Sequence, residues 1–229
     1  MFDIPYSWRV GWLLFFMLVI AHYDWRVNRS NARRWREYLF ILSIGVLGIA
    51  FIAAVDAVAA TISHEYYIYM RDLREDAPFR YSIFIQSVKA GLPAGLVVGC
   101  VYMAANNPRP TLAGLPYRRL YVLALLPMVT ALLLAPFAAM GGVVLDPLHI
   151  GPFLAKVNEL GKEPEKVQRL LAIWGASIGL YAGGLAGTIW GAVKIRAERR
   201  AAKINAPDAP DAPTAPAVSA TSPAAPVKS

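Results

Sequence analysis

The chain is short of nearly everything a water-soluble enzyme uses. Its single cysteine, Cys100, leaves no internal disulfide and no cysteine-built metal cluster. Of its three histidines, His22, His64 and His149, no two fall at matching depth in apolar runs, as the axial ligands of a haem would. Charge is scarce: only 17% of the 229 residues are Asp, Glu, Lys or Arg. No glycine-rich loop of the kind that cradles a phosphate follows a strand pattern. No cofactor is expected.

What is abundant is apolar residues, 57% of the chain, and they fall largely in long blocks. A helix needs roughly 20 such residues to cross a hydrocarbon core about 30 Å thick. Four runs reach that length, 39–61, 82–105, 120–145 and 170–193. A fifth, 10–23, reaches it when Arg9 snorkels and Ile4–Trp8 joins it. The expected fold is all-α, a polytopic transmembrane bundle of five spanning helices over residues 1–203, or four if the first run lies on the surface. Residues 204–229 change to Ala-Pro units with Asp, Ser and Thr, too poor in apolar side chains to fold. They are expected to form a disordered, partly polyproline II cytoplasmic tail that aids solubility.

Basic residues set the orientation. Segments 24–36, 106–119 and 194–203 hold 5, 3 and 5 of them, against 1, 3 and 3 in the N-terminus, 62–81 and 146–168. The positive-inside tendency then places the N-terminus outside and the C-terminus in the cytoplasm of a bacterial inner membrane. Val19 and Ala21 would suit a signal-peptidase site, but cleavage there would leave the arginines of 24–36 outside. The net charge of +8 concentrates where helices leave the bilayer, so anionic headgroups account for it without nucleic acid. Tyr66, Tyr67, Tyr69 and Tyr81 at one boundary, with Trp25, Trp35, Tyr117 and Trp190 at the other, read as interfacial aromatic belts. Phe153, Leu154, Val157 and Leu160 share one helical face, which predicts a short interfacial helix over 152–160, and Pro164 suits the first turn of the last helix.

Two patterns concern the bundle interior. Gly175, Gly179, Gly183, Gly187 and Gly191 form a stripe at every fourth residue, and Gly91, Gly95 and Gly99 repeat it in the third run. Small residues at this spacing let helix backbones approach, and packing within the chain is favoured over a homo-oligomeric or pore-lining face. Charge is the second pattern. Asp56 and Lys89 lie about 7.5 and about 10.5 Å inside the outer boundary at 1.5 Å per residue, so an ion pair between adjacent helices, assisted by Gln86, is expected.

Beyond Asp56 the chain reads Thr61-Ile62-Ser63-His64-Glu65-Tyr66-Tyr67 at the outer rim. Asp, four residues, then Thr-Ile-Ser-x-Glu-Tyr-aromatic resembles the signature of an uncharacterised family of small polytopic bacterial membrane proteins. There His-Asp-Gln-x-Thr runs into Ile-Ser-Pro-Glu-Tyr-Phe. Asp56, Thr61, Ile62, Ser63, Glu65 and Tyr66 coincide with that pattern, whereas Val55, Ala57, Ala59 and His64 stand where it has His, Gln, Thr and Pro. The resemblance covers about a dozen residues and implies candidate residues without a chemistry.

Two catalytic patterns fail on inspection. His64 and Glu65, with Asp146 and His149, could meet a zinc or manganese ion, but interfacial His and Glu are usually just solvated, and Ile68 stands where a zinc-protease helix needs its second histidine. Gly175-Ala176-Ser177-Ile178-Gly179 has the form of a nucleophile elbow, yet the stripe explains both glycines and no histidine lies at matching depth to serve Ser177. The leading functional expectation is a non-enzymatic structural, assembly or accessory membrane protein, with a membrane-protein partner or a second copy of the chain. A small transporter or channel using Asp56, Lys89 and Glu65 is the alternative, and an enzyme with an outward-facing His and carboxylate site ranks third.

Overall fold

Hydrocarbon offers no partner to a backbone N–H or C=O, so each long apolar run must pair its own polar groups and becomes a helix. In the computed structural model, which describes residues 5–29, 32–74, 78–108, 112–144 and 163–204, all regular structure is helical. The order is α1 (Tyr6–Asn28), α2 (Arg34–Ile62), α3 (His64–Arg71), α4 (Phe79–Ala105), α5 (Tyr117–Leu123), α6 (Leu126–Val144) and α7 (Pro164–Ile204). Five segments are long and apolar enough to cross a membrane: α1, α2, α4, α5 with α6, and Glu165–Ala202 of α7. The fold is an all-α helical bundle. The interfacial helix expected over 152–160, together with Asp146, His149 and residues 205–229, lies outside the described residues.

The first run is longer than its apolar core. α1 covers 23 residues, enough to span, and buries none of them. Asp24 near its end accepts the backbone N–H groups of Arg33 (2.9 Å) and Arg34 (3.0 Å), and Asn28 Nδ2 donates to its other oxygen at 2.6 Å. A carboxylate at the start of α2 suits the helix dipole and fixes the α1–α2 hairpin.

The fourth run is broken into α5 and α6 by Pro127. Proline has no N–H to return to Leu123, four residues back. The freed Leu123 carbonyl instead accepts Tyr102 Oη from α4 at 3.1 Å. α7 has 41 residues and extends for roughly 60 Å at 1.5 Å per residue, about twice the hydrocarbon thickness. The basic stretch 194–203 is therefore a continuation of the helix beyond the membrane, not a loop.

Four helices pack as two close pairs, α2 with α4 and α6 with α7. The stripes do this through backbone contact. A methyl group at Gly91 would stand 2.6 Å from the Gly48 carbonyl oxygen and 2.7 Å from Ile49 Cα, and one at Gly95 would stand 2.8 Å from Gly45 Cα. At Gly99 the neighbour is Ile41 Cα, 3.0 Å away. In the second pair, Gly175 faces the Ala138 carbonyl, Gly179 the Leu134 carbonyl oxygen (2.7 Å), Gly183 Ala131 Cα (2.6 Å) and Gly187 Pro127 Cα (2.6 Å). Gly191 differs, because the Tyr102 hydroxyl fills the space beside it.

The pairs are pinned to each other at both ends. At one end α3 wedges between them, where Tyr66, Tyr67, Ile83 and Ile173 form a buried cluster. Tyr66 and Tyr67 are thus not part of an interfacial belt; they are 4% and 1% exposed because Ser63 turns the chain back over α2. At the other end Phe40, Tyr102, Leu120, Leu123 and Ile195 pack together. Two polar ties reinforce this end: Arg119 grips Glu198 through Nε (2.9 Å) and Nη2 (2.5 Å), and the Arg199 guanidinium reaches into the segment after α4.

Candidate functional site

Asp56 sits half-buried near the end of α2, where two hydroxyls hold it. The local fold explains how they arrive. Ser63, fully buried with extended backbone (φ −140°), ends α2 and caps α3 by accepting the Tyr66 N–H at 3.3 Å; its hydroxyl donates to Glu65 Oε2, also at 3.3 Å. The turn returns Tyr67 over the preceding helix, where its hydroxyl donates to Asp56 Oδ1 (2.9 Å) and to the Asp56 carbonyl oxygen (3.1 Å). Ser87 of α4 donates to Asp56 Oδ2 at 2.6 Å. Each carboxylate oxygen thereby has a donor from a different helix.

The expected pair between Asp56 and Lys89 is not formed. Ser87, Gly91 and Gly95 define the face of α4 that meets α2, and Lys89 stands about 200° round the helix from both Ser87 and Gly91 at 3.6 residues per turn. Lys89 is exposed. Gln86 is half-buried, and among the described residues no hydrogen bond joins it to Asp56. Spacing along two helices does not fix the azimuth at which each side chain leaves its helix.

The remaining rim residues serve local structure. Thr61 is exposed and bonds back to the Val58 carbonyl at 2.7 Å, while the His64 ring packs on Phe79 at a tilt of 35° with ring centroids 3.7 Å apart. Tyr66 Oη and Ser177 Oγ lie 3.0 Å apart, and Ser177 also donates to the Ile173 carbonyl oxygen at 2.9 Å. Ser177 therefore clasps α3 to α7. Among the described residues no three His, Cys, Asp or Glu side chains converge as a metal site would require.

Three residues at this end, Ser87, Arg71 and Tyr181, carried no recognisable sequence signal, and Tyr67 carried one only as a boundary aromatic closing the rim motif. Arg71, the last residue of α3, lies 5.8 Å from the centre of the Tyr66 ring and interacts with the Tyr66 and Tyr181 hydroxyls. It looks into a half-open cavity of about 500 Å³ between the two helix pairs, bordered by Asp56, Ser177 and Tyr181 at this end. A second cavity, about 690 Å³, lies against α2, α3 and α4 beside His64, Phe79 and Arg80.

Burial first, and then the charge of Asp56, push the Tyr67 phenol well above its ordinary pKa of 10.0. The unfolded phenol ionises near pH 10 while the folded one keeps its proton, so this contribution to stability is complete below about pH 10 and is lost as pH rises toward the folded value. Tyr67→Phe removes both effects. The variant is expected to be about 1 kcal/mol less stable at neutral pH, in keeping with hydrogen bonds inside bundles, and to lose less stability in alkali than the parent. Thermal unfolding in detergent at pH 7 and above pH 10 measures both. Parallel alkaline losses in parent and variant would show that Tyr67 is not the titrating group.

No family model, no curated protein and no solved structure matches the chain.

Proposed function

We propose that the chain is a non-enzymatic, multi-pass protein of the bacterial inner membrane with an assembly or accessory role, its N-terminus outside and its C-terminus in the cytoplasm. The observation that carries this reading is α1. It is long enough to span yet buries no residue against its own bundle, and its surface presents Trp12, Phe15 and Phe16 packed on one another. Helices associate in lipid by surface fit, so a spanning helix that touches α2 but buries no residue against it keeps most of its surface available to a partner's helix. The polar groups of the rim support the same reading, because Asp56, Ser63 and Ser177 are spent on internal hydrogen bonds. The outer-rim motif then acts as a structural clasp, and the family resemblance it carries would extend to a shared fold.

Transport is the second reading, favoured by Asp56 bordering the central cavity. The two separate experimentally. A photoreactive residue at Phe16 should capture the same membrane protein in repeated preparations from native membranes, and removing residues 1–29 should abolish co-purification. Reconstituted protein should carry no proton flux above empty liposomes. A flux that Asp56→Asn abolishes would replace the accessory reading with transport.

A further inference from the structure

The central cavity is chemically polarised along its length. Arg71, Ser177 and Tyr181 stand at the α3 end, and from there the wall is apolar down to Val101 and Ile189 except for Thr188, whose hydroxyl is turned back to the Gly184 carbonyl oxygen. Ser177 and Ile189 are twelve residues apart on α7, about 18 Å at 1.5 Å per residue, slightly more than the ~15 Å of hydrocarbon belonging to one leaflet. Its volume of about 500 Å³ is in the ordinary range for a small-molecule site, roughly 300–1,000 Å³.

The mouth of the cavity selects for charge. Among the described residues no carboxylate forms an ion pair with Arg71, whose polar neighbours are the Tyr66 and Tyr181 hydroxyls. Asp56 shares the wall, but both of its oxygens are taken by Tyr67 and Ser87. A purely apolar occupant would offer the guanidinium no anion, and a soluble anion would leave the apolar wall uncovered. One molecule satisfies both halves. We propose that the cavity holds one hydrocarbon chain of an anionic phospholipid, with the lipid phosphate on Arg71 and the Tyr181 hydroxyl. A planar guanidinium matches phosphate with paired hydrogen bonds, and at this end of the spanning helices a headgroup phosphate is the anion at hand. The site is independent of any partner on α1.

Photolabelling of the full chain in phosphatidylcholine vesicles tests this. The vesicles carry a trace of phosphatidylglycerol, or of phosphatidylcholine, with a diazirine in one acyl chain. The phosphatidylglycerol probe should label cavity residues such as Leu180 and Ile189 about tenfold more than the phosphatidylcholine probe. Arg71→Gln should erase that preference. Gly184→Phe, where a Cβ meets nothing within 4 Å and the ring can enter the cavity, should block both probes with Arg71 in place. Excess inorganic phosphate should not compete. Equal labelling by the two probes, a preference that survives Arg71→Gln, or displacement by phosphate would overturn the proposal. Should Arg71→Gln fail to fold, undiminished labelling of Gly184→Phe would overturn it equally.

Discussion

Gly183→Leu is expected to part α6 from α7, whereas the same substitution one residue later, Gly184→Leu, is expected to leave the bundle intact. A Cβ at position 183 would meet the Thr130 carbonyl and stand 2.6 Å from Ala131 Cα, both backbone atoms that cannot rotate aside. The helices would have to separate along the stripe that joins them, losing the contacts at Gly179 and Gly187 too. At position 184 nothing lies within 4 Å of a Cβ, so the side chain enters the central cavity. Overpacking against side chains costs about 1–3 kcal/mol, and a backbone clash exceeds this, so Gly183→Leu should lose more than ~3 kcal/mol. Gly184→Leu should remain within ~1 kcal/mol of the parent. Thermal unfolding of the two variants in one detergent compares them directly. Similar melting of both would mean that α6 and α7 do not meet along this stripe.

Arg199→Met should be nearly as damaging, for the opposite reason: it removes donors instead of adding bulk. The guanidinium is buried, 5% exposed, and donates to four backbone carbonyls, those of Ala105 (2.7 Å), Asn107 (2.8 Å), Leu112 (3.0 Å) and Ala113 (3.0 Å). Ala105 ends α4, so its carbonyl has no partner within the helix, and a cation there also complements the helix dipole. Methionine matches the length of the side chain but leaves those acceptors desolvated. The expected loss is about 3–5 kcal/mol, less than the sum of separate bonds because water reaches part of the segment once it loosens. Arg199→Lys should recover less than half, since an ammonium cannot fork across four carbonyls in one plane. Protease cleavage within 106–116 should rise in step with the lost stability. A methionine variant as stable as the parent, with no new cleavage, would show that the clamp contributes nothing.

The helices were legible because the signal for a spanning helix is length and apolarity, which survive without knowledge of neighbours. Pro164 opens the last helix where its first-turn preference places it, and the glycine spacing marks the faces that touch. What the chain does not display is which surface each face meets. Gly45 and Gly48 form half of the α2–α4 contact, yet their isolated spacing lacks the regularity of the longer stripes. Asp56 was recognisable as a costly intramembrane carboxylate, but its partners depended on α3 folding back, and α3 looks in sequence like an aromatic boundary. Tyr67 could have been found by asking which hydroxyl a buried serine cap returns to the preceding helix. The fourth run reads as one unbroken span, and neither the break at Pro127 nor its remedy, the Tyr102 hydroxyl from another helix, follows from apolarity alone.

Sided labelling of single cysteines in the Cys100→Ser background tests the five-span arrangement most directly. Ala32→Cys lies between α1 and α2, Arg74→Cys between α3 and α4, and Ala113→Cys between α4 and α5. An impermeant maleimide should reach positions 32 and 113 from one side of the membrane only and position 74 from the other only. Labelling of all three from the same face would mean that α2 and α4 do not cross the bilayer.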